Sequence, residues 1–188
     1  ADQCRYRILG IGARQEGLEI LARVVLAERL DESRRTKFRQ ERDIRGLTDN
    51  AVSGVLVATG AALASPDRKV ICASGDGSAL YTIQALWTQA RENLDVTTII
   101  CAKRVYAILA YEHLQIEGCP PGPRALPVLS LAHPALGFAE LARGFGVEAV
   151  CVASAEALDD ALDAAGRRHG PFLIEAVFEP TTLPAGRR

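Results

Sequence analysis

The sequence predicts a three-layer α/β/α fold with a mostly parallel sheet of five or six strands. Two observations carry that prediction. Short, continuously apolar runs recur along the second half of the chain, and segments of helical spacing separate them. Strands apolar at every position are buried on both faces, the situation of a parallel sheet between two helical layers. Crossovers in such a sheet are right-handed, and ligands bind at the carboxyl ends of its strands.

The elements follow in chain order. In EGLEILARVVLAERL (16–30), Leu18, Leu21, Val25 and Leu30 recur at helical spacing, so a helix is expected. The charged segment 31–45 holds six basic and four acidic residues with one aromatic, which reads as a solvated face. Residues 51–64 are small and apolar and predict a tightly packed helix; SPDR (65–68) is a turn. KVICAS (69–74) predicts a buried strand. SALYTIQALWTQAREN (78–93) predicts one helix, with Leu80, Ile83, Leu86, Trp87 and Ala90 on its core face. VTTIICA (96–102) is a second strand. The proline-bearing stretch 115–135 is the one long loop candidate. FAELARGFG (138–146) is a helix stopped by glycine, and VEAVCV (147–152) a strand. SAEALDDALDAAGRR (154–168) is a helix capped by Ser154, with Glu156 close behind, and PFLIEAVF (171–178) the last strand.

Composition narrows the class without naming a function. The chain has 188 residues, 48% of them hydrophobic and 24% charged, which suits one soluble domain with a tail. A net charge of −1 gives no case for nucleic acid or a membrane surface. ADQCRYRILG lacks the pattern of a signal peptide, and a cytoplasmic location is expected. The five cysteines form no CxxC pair. Cys72, Cys101 and Cys151 fall in strands as small hydrophobes, so neither a disulfide framework nor a zinc site is expected. The sequence has no methionine, which points to a processed or trimmed chain, an engineered one, or a part of something longer.

The chemistry concentrates in CASGDGSALY (72–81), a turn at the carboxyl end of a strand. Gly75 and Gly77 permit a sharp turn and a close backbone approach by a ligand. Ser78 is placed to cap the following helix. Asp76 between the glycines would repel a phosphate, unless a hard divalent cation lies between them and takes carboxylate, carbonyl and phosphate oxygens together. The next parallel strand ends at the same edge, so Lys103, Arg104, Val105 and Tyr106 arrive beside Asp76. Lys103 follows it by 27 residues.

This arrangement resembles the diphosphate-binding domain of thiamine-diphosphate-dependent enzymes. The likeness is closest to the acetolactate synthase, benzoylformate decarboxylase and pyruvate decarboxylase group. It rests on VATGAALASPDRKVICASGDGSALYTIQALWTQARENLDVTTIICA, FAELARGFGVEAV and GPFLIEAVFEP, and it covers roughly residues 51–180. Residues 47–180 are accordingly expected to form the cofactor domain, with 1–46 an unmatched N-terminal helix and charged segment and 181–188 a tail. The resemblance implies thiamine diphosphate and magnesium as cofactors. It implies that Asp76 binds the metal through its carboxylate and Val105 through its carbonyl. Gly75, Gly77 and Ser78 would meet the diphosphate, and Tyr106 would help hold it. The cofactor would act as electron sink for decarboxylating a small 2-oxo acid. A pyrimidine-binding domain or subunit, which supplies an activating glutamate, is implied as partner within a homo- or hetero-oligomer.

Two departures stand out. Where the family places Asn-Asn, this chain has Ala102-Lys103, and an ammonium has no lone pair for the metal. Lys103 would either pair with Asp76 or touch the diphosphate directly. Where the group has a glycine-rich turn and a bulky residue that bends the cofactor, this chain has TDNAVS (48–53), with Ala51 at the bulky position. The alternative reading is a non-catalytic or redesigned domain of this fold, with an impaired metal site, serving as scaffold or oligomerisation module. RILGIGARQEGLEIL (7–21) has Gly10 and Gly12 of a dinucleotide-binding turn but not the third glycine. Glu112 and His113 are a conceivable acid–base pair and more simply a solvent-facing one. His133 and His169 sit in loops and need no special role.

Overall fold

The computed structural model describes residues 54–178. The helix expected at 16–30, the charged segment, the turn carrying Ala51, Gly10, Gly12 and the tail lie outside the described residues. Four strands, β1 (Val70–Gly75), β2 (Val96–Ala102), β3 (Glu148–Val152) and β4 (Phe172–Val177), form one all-parallel sheet in the order β1-β2-β4-β3. They match the four apolar runs read from the sequence, and four is the strand count among the described residues.

β2 and β4 lie in the middle of the sheet. All seven residues of β2 are buried, and they alternate between two cores as the two-residue period of a strand demands. Val96 and Ile100 join Leu86, Phe138, Val147 and Leu173 on one face. Ile99 and Cys101 join Leu158, Phe172 and Ile174 on the other. Helices α1 (Gly54–Ala64), α3 (Ala85–Arg91) and α6 (Phe138–Gly144) cover the first face, and α7 (Ala155–Gly166) the second. This is the predicted three-layer arrangement.

Several expectations change in detail. The helix read at 78–93 begins earlier and is broken. α2 (Asp76–Ala79) opens directly after Gly75, and Tyr81, Thr82, Ala85, Leu86 and Trp87 donate to carbonyls three residues back, so the chain winds tightly before α3 settles. Ser78 therefore lies inside α2, and the cap position falls to Gly75. Trp87 is not core: it is 52% exposed, with the Arg91 guanidinium over its ring. Its polar neighbour Gln89 is fully buried instead, donating through Nε2 to Thr59 Oγ1 at 2.9 Å and so tying α3 to α1. Cys151 is exposed on the edge strand β3, while Cys72 and Cys101 are buried as expected. The loop read at 115–135 contains the end of α4 (Ala107–Glu117) and the short α5 (Leu126–Leu129).

Two caps match. Gly146, at φ +85°, lies just beyond the end of α6, and Ser154 Oγ accepts from Ala157 N at 3.2 Å at the start of α7.

Candidate functional site

The site is two turns joined by one carboxylate. β1 and β2 are neighbours in register, with Gly75 opposite Cys101, so the turns that follow them leave the sheet side by side. Asp76 stands at the start of the first turn and is 2% exposed. Its Oδ1 accepts from the backbone N–H of Gly77 at 2.9 Å, and its Oδ2 accepts a short hydrogen bond from the N–H of Arg104 in the second turn. Burial pushes the Asp76 carboxyl above its ordinary value. The N–H groups of Arg104 and Gly77 and the charge of Lys103 pull the other way.

The second turn is bent to make that contact. Arg104 has φ 59°, the left-handed region that a side chain with a Cβ enters at a cost of roughly 1–2 kcal/mol. Returning chain holds it in place. Arg104 O accepts from Leu131 N at 2.8 Å, Val105 bridges Ser130, and Tyr106 N donates to Leu129 O at 2.9 Å. Tyr106 itself, at φ −71° and ψ 70°, centres a tight turn in which Ala107 N donates to Val105 O at 2.8 Å.

The two glycines of the motif have different tasks. A methyl group on Gly77 would lie 2.7 Å from Cδ1 of Tyr106, so the tyrosine ring occupies the space that the missing side chain leaves. Around Gly75 nothing lies within 4 Å of such a methyl, so the space beside that glycine is open. Gly75, Asp76, Gly77, Ser78, Lys103, Val105 and Tyr106 thus come together at one sheet edge as the sequence suggested, and Ala51 lies outside the described residues.

A magnesium ion fits this donor set poorly. Asp76 and the Val105 carbonyl accept backbone N–H groups and keep further lone pairs, but they amount to one carboxylate and one carbonyl with no second side-chain ligand. Lys103 offers no lone pair. It makes no direct ion pair with Asp76, contrary to one of the two expectations for it, although its charge still favours the ionised carboxylate. Among the described residues no cluster of three or more His, Cys, Asp and Glu is poised to hold a metal. A diphosphate would fit better: the space beside Gly75 is open, and Lys103 follows the neighbouring strand at the same sheet edge.

Sequence reasoning missed Glu175. It is 3% exposed on β4, and its Oε2 accepts from Ala139 N at 2.9 Å, holding the start of α6. A lone glutamate inside PFLIEAVF was the available signal, since a buried carboxylate needs a partner. Glu112 and His113 lie on α4, where Ala110 is the buried residue.

Comparison with known proteins agrees with this geometry. Residues 51–176 match the family model described as the thiamine pyrophosphate enzyme, C-terminal TPP binding domain. IlvX of Mycobacterium tuberculosis, which carries the name of an acetolactate synthase large subunit, is 48% identical over 133 residues, 70% of this chain and 26% of that protein. Benzoylformate decarboxylase of Pseudomonas aeruginosa is 40% identical over 122 residues, 65% of this chain and 22% of that protein. Among solved structures, the thiamine diphosphate-dependent 4-hydroxybenzoylformate decarboxylase of Rhodococcus jostii RHA1 superposes with a TM-score of 0.58 at 36% identity, over 65% of this chain and 22% of that one. The chain therefore spans about a quarter of the length of these relatives. With its fold, its GDGS turn and this match in agreement, the chain belongs to the thiamine pyrophosphate enzymes and carries their C-terminal TPP-binding domain.

Proposed function

We propose that this domain binds thiamine diphosphate for a 2-oxo acid decarboxylase or an acetolactate-synthase-like carboligase. The observation that carries the reading is the pair of turns beyond β1 and β2, clasped by Asp76, at the edge of the sheet where ligands bind. Gly75 would offer open backbone to the diphosphate, with Gly77 and Ser78 next to it. Tyr106 would fix the shape of the turn by packing on Gly77. Asp76 and the Val105 carbonyl are the donors a magnesium ion would have to share with the backbone, and Lys103 stands beside them without a lone pair. When bound, the cofactor supplies the nucleophilic carbon and electron sink for the 2-oxo acid. The chain's own part is to hold the diphosphate and orient it.

The names of the relatives support this reading, as does the share of their length that the chain covers. Catalysis would then need a pyrimidine-binding domain or subunit, within a homo- or hetero-oligomer. No described helix is long and apolar enough to cross a membrane, and a cytoplasmic enzyme is the proposed setting.

Calorimetric titration of the 188-residue chain with thiamine diphosphate, against thiamine as control, tests the reading. Saturable binding of the diphosphate form, at least about tenfold tighter than thiamine, supports it. Equal or absent binding of both at millimolar concentration favours the second reading, a scaffold or oligomerisation domain, for which Lys103 is the specific motive.

A further inference from the structure

We infer that the diphosphate site of this chain works without a divalent cation. Lys103 supplies the positive charge, and Asp76 serves as a clasp between the two turns. The inference rests on the reading of the GDGS turn as a diphosphate site and goes beyond it in assigning the charge.

Three observations carry it. First, both oxygens of Asp76 are already engaged by protein. Its two oxygens accept from Gly77 and Arg104, in different turns, so the carboxylate performs a structural task that needs no ion. Each oxygen keeps a lone pair beyond these bonds, so what a metal lacks here is a second side-chain ligand, because Lys103 in the neighbouring turn has no lone pair to give. Second, the left-handed backbone of Arg104 is what aims its N–H at Asp76, and the antiparallel contacts to residues 129–131 hold it there. The turn is built around the clasp. Third, the residue immediately before Arg104 is a lysine, half-buried, whose charge reaches Asp76 without pairing with it. No ion pair among the described residues holds its ammonium to the carboxylate. A compact cation on a flexible four-carbon stem is suited to an anion arriving at the neighbouring open backbone of Gly75.

The experiment is calorimetric titration of the 188-residue chain with thiamine diphosphate and with inorganic pyrophosphate, each in EDTA and in magnesium. Wild type is compared with Lys103→Arg, Lys103→Ala and Lys103→Asn, and circular dichroism melting confirms that each variant is folded. Wild type is expected to bind within about twofold in the two buffers. Lys103→Arg should retain that binding. Lys103→Ala should lose about tenfold or more in EDTA, the loss of one charge-assisted contact. Lys103→Asn should bind only when magnesium is present. Tightening of the wild type by magnesium of about tenfold or more would overturn the inference and leave the cofactor reading intact. So would binding by Lys103→Asn in magnesium where the wild type binds in neither buffer. Absence of binding by every form in both buffers would overturn the inference together with the site reading beneath it.

Discussion

The turn after β1 and the turn after β2 meet at one carboxylate, yet they are made by opposite means. The first is shaped locally. Its two glycines and its aspartate stand within three residues, and the turn needs little from elsewhere beyond the ring of Tyr106. The second contains no glycine. It reaches its left-handed geometry at Arg104 because residues 129–131 return alongside and make two backbone hydrogen bonds with residues 104 and 106, flanking the bridge of Val105 to Ser130. A turn of the first kind announces itself in a short motif. A turn of the second kind is written across some thirty residues and tolerates exchange of its side chains, which is how a lysine comes to stand in it.

Substitution separates the two. The largest effect is expected where they join. Asp76→Ala leaves the N–H groups of Gly77 and Arg104 without their acceptor and should cost about 2–3 kcal/mol in urea unfolding. The gap should depend on pH in a direction set by the raised pKa of Asp76. A carboxyl whose folded value lies above its unfolded value contributes most below the ordinary carboxylate range, and loses that contribution as pH rises through the folded value. The wild type should therefore exceed Asp76→Ala by more near pH 4 than near pH 8. A gap that widens towards alkaline pH would contradict the burial of this group.

Next in size is a contrast of sign within the first turn. Gly77→Ala pushes a methyl into the Tyr106 ring and should destabilise by about 1–3 kcal/mol. Gly75→Ala, at φ −73° and with open space around it, should stabilise by about 0.4–1 kcal/mol while weakening ligand binding. Equal melting temperatures for the two variants would remove the division of labour between these glycines. The smallest effect belongs to the second turn. Arg104→Gly trades left-handed strain against chain entropy and should change stability by less than about 1 kcal/mol. Arg104→Val, β-branched at positive φ, should cost more than Arg104→Gly, and a reversed order would show that the turn relaxes out of its left-handed form.

The same contrast explains what the sequence disclosed. Four strands were legible because β2 and β4 are mostly apolar or β-branched, Glu175 excepted, and burial on both sides favours that composition. Asp76 was legible because a carboxylate between glycines has few uses. The substitution at Lys103 was visible too, since it sits at a fixed distance from Asp76. The left-handed Arg104 was not, because an arginine carries no preference for that region and the restraint comes from Leu129 and Leu131. Ser78 was misread as a cap because the helix starts two residues sooner, on Asp76 itself. Trp87 and Gln89 exchanged places for a similar reason: helical spacing defines a face, but whether that face meets α1 or solvent depends on how tightly residues 80–87 wind. The strand–turn–helix read at 7–21, the turn read at 48–53 and the tail lie outside the described residues.

The bond from Arg104 to Asp76 also has a bearing on time. Its two ends are 28 residues apart, and an entire crossover helix lies between them. It can form only once β2 has docked beside β1, so it cannot precede that non-local pairing. Arg104 has an exposed side chain, and its amide would ordinarily exchange with solvent within moments. Here the proton points into a buried carboxylate, and the rate at which it exchanges for deuterium becomes a clock for the opening of the whole crossover.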